Sequence, residues 1–303
     1  MRVGYACKNI TLGKDGGSRT MTRKRYLDLS YEDAKKEITN ITIINLLNLK
    51  KMLEWNIKNN IYFMRISSDI IPLASMDSSL LDVLYDKDVL EVSNQILGLK
   101  CEYNIRLSLH PGQYTVLNTK DSDVLENTGK DLMYHTLLAG LLGVDDMILH
   151  VGGFYRDKIE SMKRFVYNFN MLPPKTKELL RVENDDKTYH IEDVLSLSEE
   201  INVPVVLDIH HDRCNPTYNK TIWDVRCDIM DTWHRRGLQP KLHISTGKDS
   251  TKDRSHSYLL SEDDIDFALE YSSSNIDIMV EAKGKELATI EVLKRLNTLG
   301  YNY

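Results

Sequence analysis

The chain has few cysteines and few chain breakers for its length. Its 303 residues include 4 Cys, 7 Pro and 15 Gly. Cys7, Cys101, Cys214 and Cys227 are irregularly spaced and form no Cys-x-x-Cys pair, which argues against a thiolate zinc site or a disulfide framework. Reduced thiols and an intracellular, cytoplasmic location are the expectation. No apolar run approaches the roughly 20 residues of a membrane span, so no membrane partner is expected, and the N-terminus carries no signal-peptide core. No Gly-x-Gly-x-x-Gly turn follows a strand, and no Walker-type loop is present. Dinucleotide binding and dependence on ATP both lose support. Cations are also scarce overall: 39 Lys and Arg against 45 Asp and Glu give a net charge of −6. A general nucleic-acid affinity is therefore disfavoured, although Lys14, Arg19, Arg23, Lys24 and Arg25 form a local basic stretch opposed only by Asp15.

What remains is a globular composition, 42% hydrophobic and 28% charged, with a regular alternation of element types. Short apolar runs read as strands over Arg2–Ala6, Ile61–Ile66, Asn104–Leu109, Asp146–Val151, Leu179–Glu183, Val203–Ile209, Lys241–Ser245 and Asp277–Ala282. Between them lie helical patterns. The first is capped by Ser30 with Asp33 in its first turn, and carries Ile38, Ile41, Ile44, Leu47, Leu49, Met52 and Leu53 on an apolar face. The others run near 87–100, 121–142, 156–171, 190–201, 222–235, 262–273 and 285–298. Eight strand–helix units in about 300 residues predict an α/β chain, a single (β/α)8 TIM barrel domain over 1–303, with its site at the C-terminal ends of the strands.

Those ends are rich in metal-binding side chains. Strand three ends in His110 and strand four in His150. Strand five ends in Glu183-Asn184-Asp185, and strand six in Asp208-Ile209-His210-His211. Strand seven holds Lys241-Leu242-His243, its loop supplies His256, and strand eight ends in Glu281. Several carboxylates buried together are costly unless cations neutralise them. Imidazole with carboxylate suits Mn²⁺, Zn²⁺ or Fe²⁺ better than Ca²⁺, and the number of ligands points to two or three ions. His135, His190, His210 and His234 read as structural or surface residues. His210 points away from His211 if the strand is still regular there.

The ordered fragments Gly4-Tyr5-Ala6-Cys7-Lys8-Asn9, Arg65-Ile66-Ser67-Ser68, His110-Pro111-Gly112-Gln113-Tyr114, His150-Val151-Gly152-Gly153, Glu183-Asn184-Asp185, Asp208-x-x-His211, Lys241-x-His243, His256 and Glu281 span the chain, and in this set it resembles the UV damage endonucleases. The resemblance implies a DNA repair endonuclease. It would act on damaged double-stranded DNA, nicking the backbone 5′ to pyrimidine dimers and 6-4 photoproducts by metal-assisted phosphodiester hydrolysis, with Mn²⁺ favoured. It implies His110, His150, Glu183, Asp208, His211, His243, His256 and Glu281 as metal ligands. Glu183, Asp208 and Glu281 would be catalytic through the metals, Gln113 and Tyr114 would push into the duplex, and Tyr5 and Asn9 would line a lesion pocket. Lys241 shares a strand face with His243, so it is expected to be a catalytic residue facing the metals as a neutral or carbamylated amine; the alternative is a side chain that snorkels outward or pairs with a carboxylate. A monomer is expected. Endonuclease IV, an abasic-site enzyme, is the related alternative, but its Asp-x-His pair after strand seven reads Arg254-Ser255-His256 here. A metal-dependent sugar isomerase on the same barrel is the other enzymatic alternative, and a DNA-binding protein without catalysis the non-enzymatic one.

Overall fold

The computed structural model describes residues 1–217, 219–273 and 275–301. Eight strands, β1 (Val3–Ala6), β2 (Phe63–Arg65), β3 (Arg106–Leu109), β4 (Asp146–His150), β5 (Leu180–Glu183), β6 (Val205–Asp208), β7 (Lys241–Ile244) and β8 (Asp277–Val280), close into a barrel in sequence order. Every neighbouring pair is parallel, and β8 closes on β1. The predicted TIM barrel is thus the observed fold, with strands one to three residues shorter than their apolar runs. At β1 the closure needs glycine, because a Cβ on Gly4 would lie 2.0 Å from the carbonyl oxygen of Phe63.

Alternation along the strands sorts the side chains. Leu180, Val182, Leu242 and Ile244 face outward into the main core beneath the helices. The intervening residues face the lumen. Arg106, Asp146, Arg181, Lys241 and Asp277 form its floor. Phe63 with Met279, and Ile148 with Val206, form apolar clusters above them. The histidines and acids of the strand ends form the top. Register places these ends side by side, with His150 beside Glu183 and Asp208 beside His243.

The long helix Tyr31–Lys58 is capped as expected, the Ser30 hydroxyl accepting from the amide of Asp33. Its buried face differs from the prediction. Leu46 is buried and Leu47 exposed, because Thr42, Asn45 and Asn48 also face inward. Asn45 and Asn48 donate to carbonyls of the basic loop at Arg19 and Gly17 and to those of Asp69 and Ile70. These loop carbonyls would otherwise be buried without donors. Three short helices were not legible as separate elements: Arg23–Leu27 within the basic stretch, Pro174–Leu179 before β5, and Ile209–Cys214 after β6. Among the described residues no helix is long and apolar enough to cross a membrane.

Candidate metal centre

Glu183 is the hub of the upper lumen. Its Oε2 lies 3.0 Å from His110 Nε2 and 3.6 Å from His150 Nε2. Its Oε1 lies 2.7 Å from His243 Nδ1. Glu281 Oε1 is 3.2 Å from the same His243 nitrogen. Two groups of ligand atoms result, each compact enough for one ion: His110, His150 and Glu183, and Glu183, Asp208, His243 and Glu281. Glu183 is common to both groups, with Oε2 toward His110 and His150 and Oε1 toward His243.

His211 joins from the side. β6 ends at Asp208, which caps the helix Ile209–Cys214 by accepting from the amide of His211 at 2.8 Å. The helical turn brings residue 211 back over residue 208, where a continued strand would not. His211 Nδ1 lies 2.9 Å from the carbonyl oxygen of Asn184 and 3.9 Å from both Glu183 and Asp208. The same turn buries His210 away from the lumen, its Nε2 2.8 Å from the carbonyl of Asp253. His256 stands apart from both groups, with its ring 5.9 Å from that of His210. His135 bridges Asp131 and Ser68, His190 caps the helix Ile191–Ile201, and His234 lies exposed at a helix end.

The donor set suits a divalent cation. Buried His150 Nδ1, Asp208 Oδ2 and His243 Nε2 have no hydrogen-bond partner among the described residues, and a buried polar atom left without a partner is costly unless something binds it. Electrostatics point the same way. Burial alone would raise the Glu183 carboxyl, but His243, His150 and His110 hold it well below the usual carboxylate range. Glu281 is held down similarly, by Arg65 and His243 against burial. Burial pushes His110 down to about 4, so it is neutral and able to donate a lone pair. His211 runs opposite: Asp208 and Glu183 overcome burial and raise it to about 9.

Sequence reasoning missed Arg65. Its guanidinium donates to Glu281 inside the centre. Alternation from Phe63 along β2 placed it at a strand end like the other site residues. Asn184 was also missed. Its side chain clamps the backbone of Asp208 with bonds of 3.0 and 2.8 Å, fixing that carboxylate.

Three expectations need correction. Lys241 does share the lumen face of His243, but one layer lower. It is fully buried and its Nζ forms an ion pair with Asp146 of the floor. Burial lowers its pKa to about 8 against the pull of Asp146. With a carboxylate partner the ammonium is satisfied there, and neither a neutral nor a carbamylated amine facing the metals is required. Tyr5 and Asn9 do not line an open pocket, being 0% and 1% exposed. Tyr5 lies between the lumen-facing Gly4 and Ala6, so it points outward. Its hydroxyl donates to Asn56 at 2.7 Å and accepts from Asn9 at 3.0 Å. Tyr5→Phe is accordingly expected to cost about 1–3 kcal/mol, because Asn56 and Asn9 lose their partner in a buried site. Chemical denaturation measures that loss, and lesion discrimination should stay unchanged; an unchanged stability with lost discrimination would return Tyr5 to a substrate-facing role.

Gln113 and Tyr114 are exposed on the turn after β3, Tyr114 to 82%. Of the basic stretch, Arg25 pairs with Glu37, and Asp15 pairs with Lys51. Lys14, Arg19, Arg23 and Lys24 are exposed, with no ion pair among the described residues.

Known proteins resemble this chain over its whole length. The family model for UV-endonuclease UvdE matches residues 1–301. A UV DNA damage endonuclease from Clostridium perfringens is 36% identical over 313 aligned positions, covering 99% of this chain and 74% of that protein. The crystal structure of SacUVDE superposes with a TM-score of 0.90 at 32% identity, covering 100% of both chains. Endonuclease IV from Thermus thermophilus shares the fold, with a TM-score of 0.59 at 15% identity over 98% of each chain.

Proposed function

The chain belongs to the UV-endonuclease UvdE family, and from that premise we propose that it nicks damaged duplex DNA on the 5′ side of ultraviolet lesions. It is a DNA-cleaving hydrolase of DNA repair. The lesions it accepts are cyclobutane pyrimidine dimers and 6-4 photoproducts, and the nick leaves a 3′-hydroxyl and a 5′-phosphate. The observation that carries this reading is the pair of ligand groups sharing Glu183 at the mouth of the barrel.

His110, His150, Glu183, Asp208, His243 and Glu281 would hold the ions, with His211 beside Asp208 and His256 reached by movement of its loop. Two or three ions, Mn²⁺ by preference, would supply Lewis-acid activation of water and stabilisation of the leaving oxygen. Glu183, Asp208 and Glu281 would offset part of the ions' charge, and Asn184 holds Asp208 in place from its backbone. Arg65 sits on Glu281, where it can also meet a phosphate oxygen. Lys14, Arg19, Arg23 and Lys24 give the negatively charged molecule a local surface for the DNA backbone. The damaged nucleotides must leave the stack to reach the lumen, and damage lowers the cost of doing so.

An end-labelled duplex with one thymine dimer tests the reading. One cut immediately 5′ to the dimer is expected with Mn²⁺ and without ATP, and none in the undamaged duplex. Equal cutting of both duplexes, or cutting that survives exhaustive chelation, would defeat it.

A further inference from the structure

At the end of the barrel opposite the histidines lies a cavity of about 200 Å³, bordered by Arg2, Lys100, Arg106, Asp146, Arg181 and Gln239. Its ionic groups do not balance. Lys100 pairs with Asp145 at 3.0 Å. Arg106 bridges Asp146 and Asp277 at 2.7 and 2.9 Å. Arg2 takes a second place on Asp277 at 3.1 Å, and Lys241 a second place on Asp146. All three carboxylates are thereby engaged, and two of them already serve two cations each.

Arg181 is left over. It is 2% exposed and has no carboxylate partner among the described residues. Its Nη1 donates to the carbonyls of Glu178 and Leu180, both at 2.7 Å, while its Nε is buried without any partner. The guanidinium stacks near Trp233, 5.6 Å from the ring centroid, but Arg106 already occupies a place at the same ring at 5.5 Å. An aromatic face offsets part of a cation's burial cost but supplies no counter-charge. A guanidinium remains protonated at neutral pH, so it cannot escape by losing its proton as a lysine can.

We propose that this floor cavity binds a small oxyanion of the phosphate class, held by the unpartnered edge of Arg181 and by the surplus positive charge around it. A planar fork of N–H donors matches an oxyanion edge better than it matches a spherical halide. Bound there, the anion ties the start of β5 to the starts of β3 and β4. It acts on stability, at the end of the barrel remote from the nuclease centre.

Thermal unfolding of the full chain in inorganic phosphate, against chloride at equal ionic strength, tests this. Phosphate should raise the Tm of the parent saturably, by roughly 5 °C at a hundredfold excess over Kd. Arg181→Met should lose that saturable rise while still nicking damaged DNA. The informative quantity is the change, on adding phosphate, in the Tm gap between parent and variant. It is independent of what the lost carbonyl bonds cost the variant, and of any phosphate bound at the metal centre. Arg181→Lys, which keeps the charge but not the fork, should show a reduced rise. Crystals of the parent soaked in arsenate give a readout that needs no variant, an anomalous peak beside Arg181. Equal stabilisation of parent and Arg181→Met, identical effects of phosphate and chloride, or no arsenate peak at the floor would each overturn the proposal.

Discussion

Glu183→Gln is expected to lower the rate of dimer incision by well over about 10²-fold, more than the 10- to 100-fold loss usual for a residue that only supports a metal ligand. Glu183 is the one residue common to both ligand groups, and its two oxygens face different imidazoles. An amide keeps the shape but removes the negative charge, and it turns a donor toward one side of the centre. Both groups lose affinity together. Single-turnover incision with metal analysis checks this, and near-normal turnover with a full metal complement would remove Glu183 from the centre.

The same substitution reports on the metal-free protein. Relief from repulsion among buried carboxylates would make the variant more stable. The geometry argues otherwise, since the imidazoles flank Glu183 and Arg65 neutralises Glu281. A carboxyl whose folded-state pKa lies below its unfolded value contributes stability above that unfolded value, about 4.3 for Glu, and loses it as pH falls through the folded one. Metal-free Glu183→Gln should therefore be less stable than the parent at neutral pH, with the gap narrowing in acid.

Much of this was legible beforehand because a βα repeat writes two periods into the sequence, and the strand ends of such a barrel carry its chemistry. Alternation assigns a side chain to a face, but depth along the barrel axis depends on strand stagger. Lys241 shows the difference: its face is right, yet its partner is Asp146 in the floor. Tyr5 shows a signal available and not used, since Gly4 and Ala6 on either side already claim the lumen. His211 depended on where β6 stops. An Asp followed three residues later by a side chain that must return is a helix start as much as a strand end. Arg181 could not have been singled out, because a missing counter-charge is visible only when every neighbour is in place.

Changing Gln113 and Tyr114 together to alanine should leave ion binding intact and lower the preference for a dimer-containing duplex over an undamaged one by roughly 5- to 150-fold, the worth of one lost base-stacking contact of about 1–3 kcal/mol. The turn that carries them is fixed at both ends. His110 Nδ1 lies 3.1 Å from the carbonyl of Pro111, the amide of Thr115 donates to Gly112 at 2.9 Å, and that of Val116 to the Thr128 hydroxyl at 2.9 Å. Thr115 is further tied to Asp131 through its side chain. Between these anchors the two side chains have no hydrogen bond to the barrel among the described residues, and Tyr114 does not pack into the rim. A large aromatic held this far into solvent costs apolar exposure and returns nothing to the fold. Beside a duplex it could fill the space left by extruded bases, with the Gln113 amide reaching the edges of their orphaned partners. Because the turn is tied down by these bonds, little of the stacking energy is spent on fixing it. Competition binding with damaged and undamaged duplexes, alongside single-turnover cutting, measures the effect. A double variant that kept parental discrimination while holding its metals would leave the exposed turn without a part in reading damage, and would shift that task to the basic stretch near Lys14–Lys24.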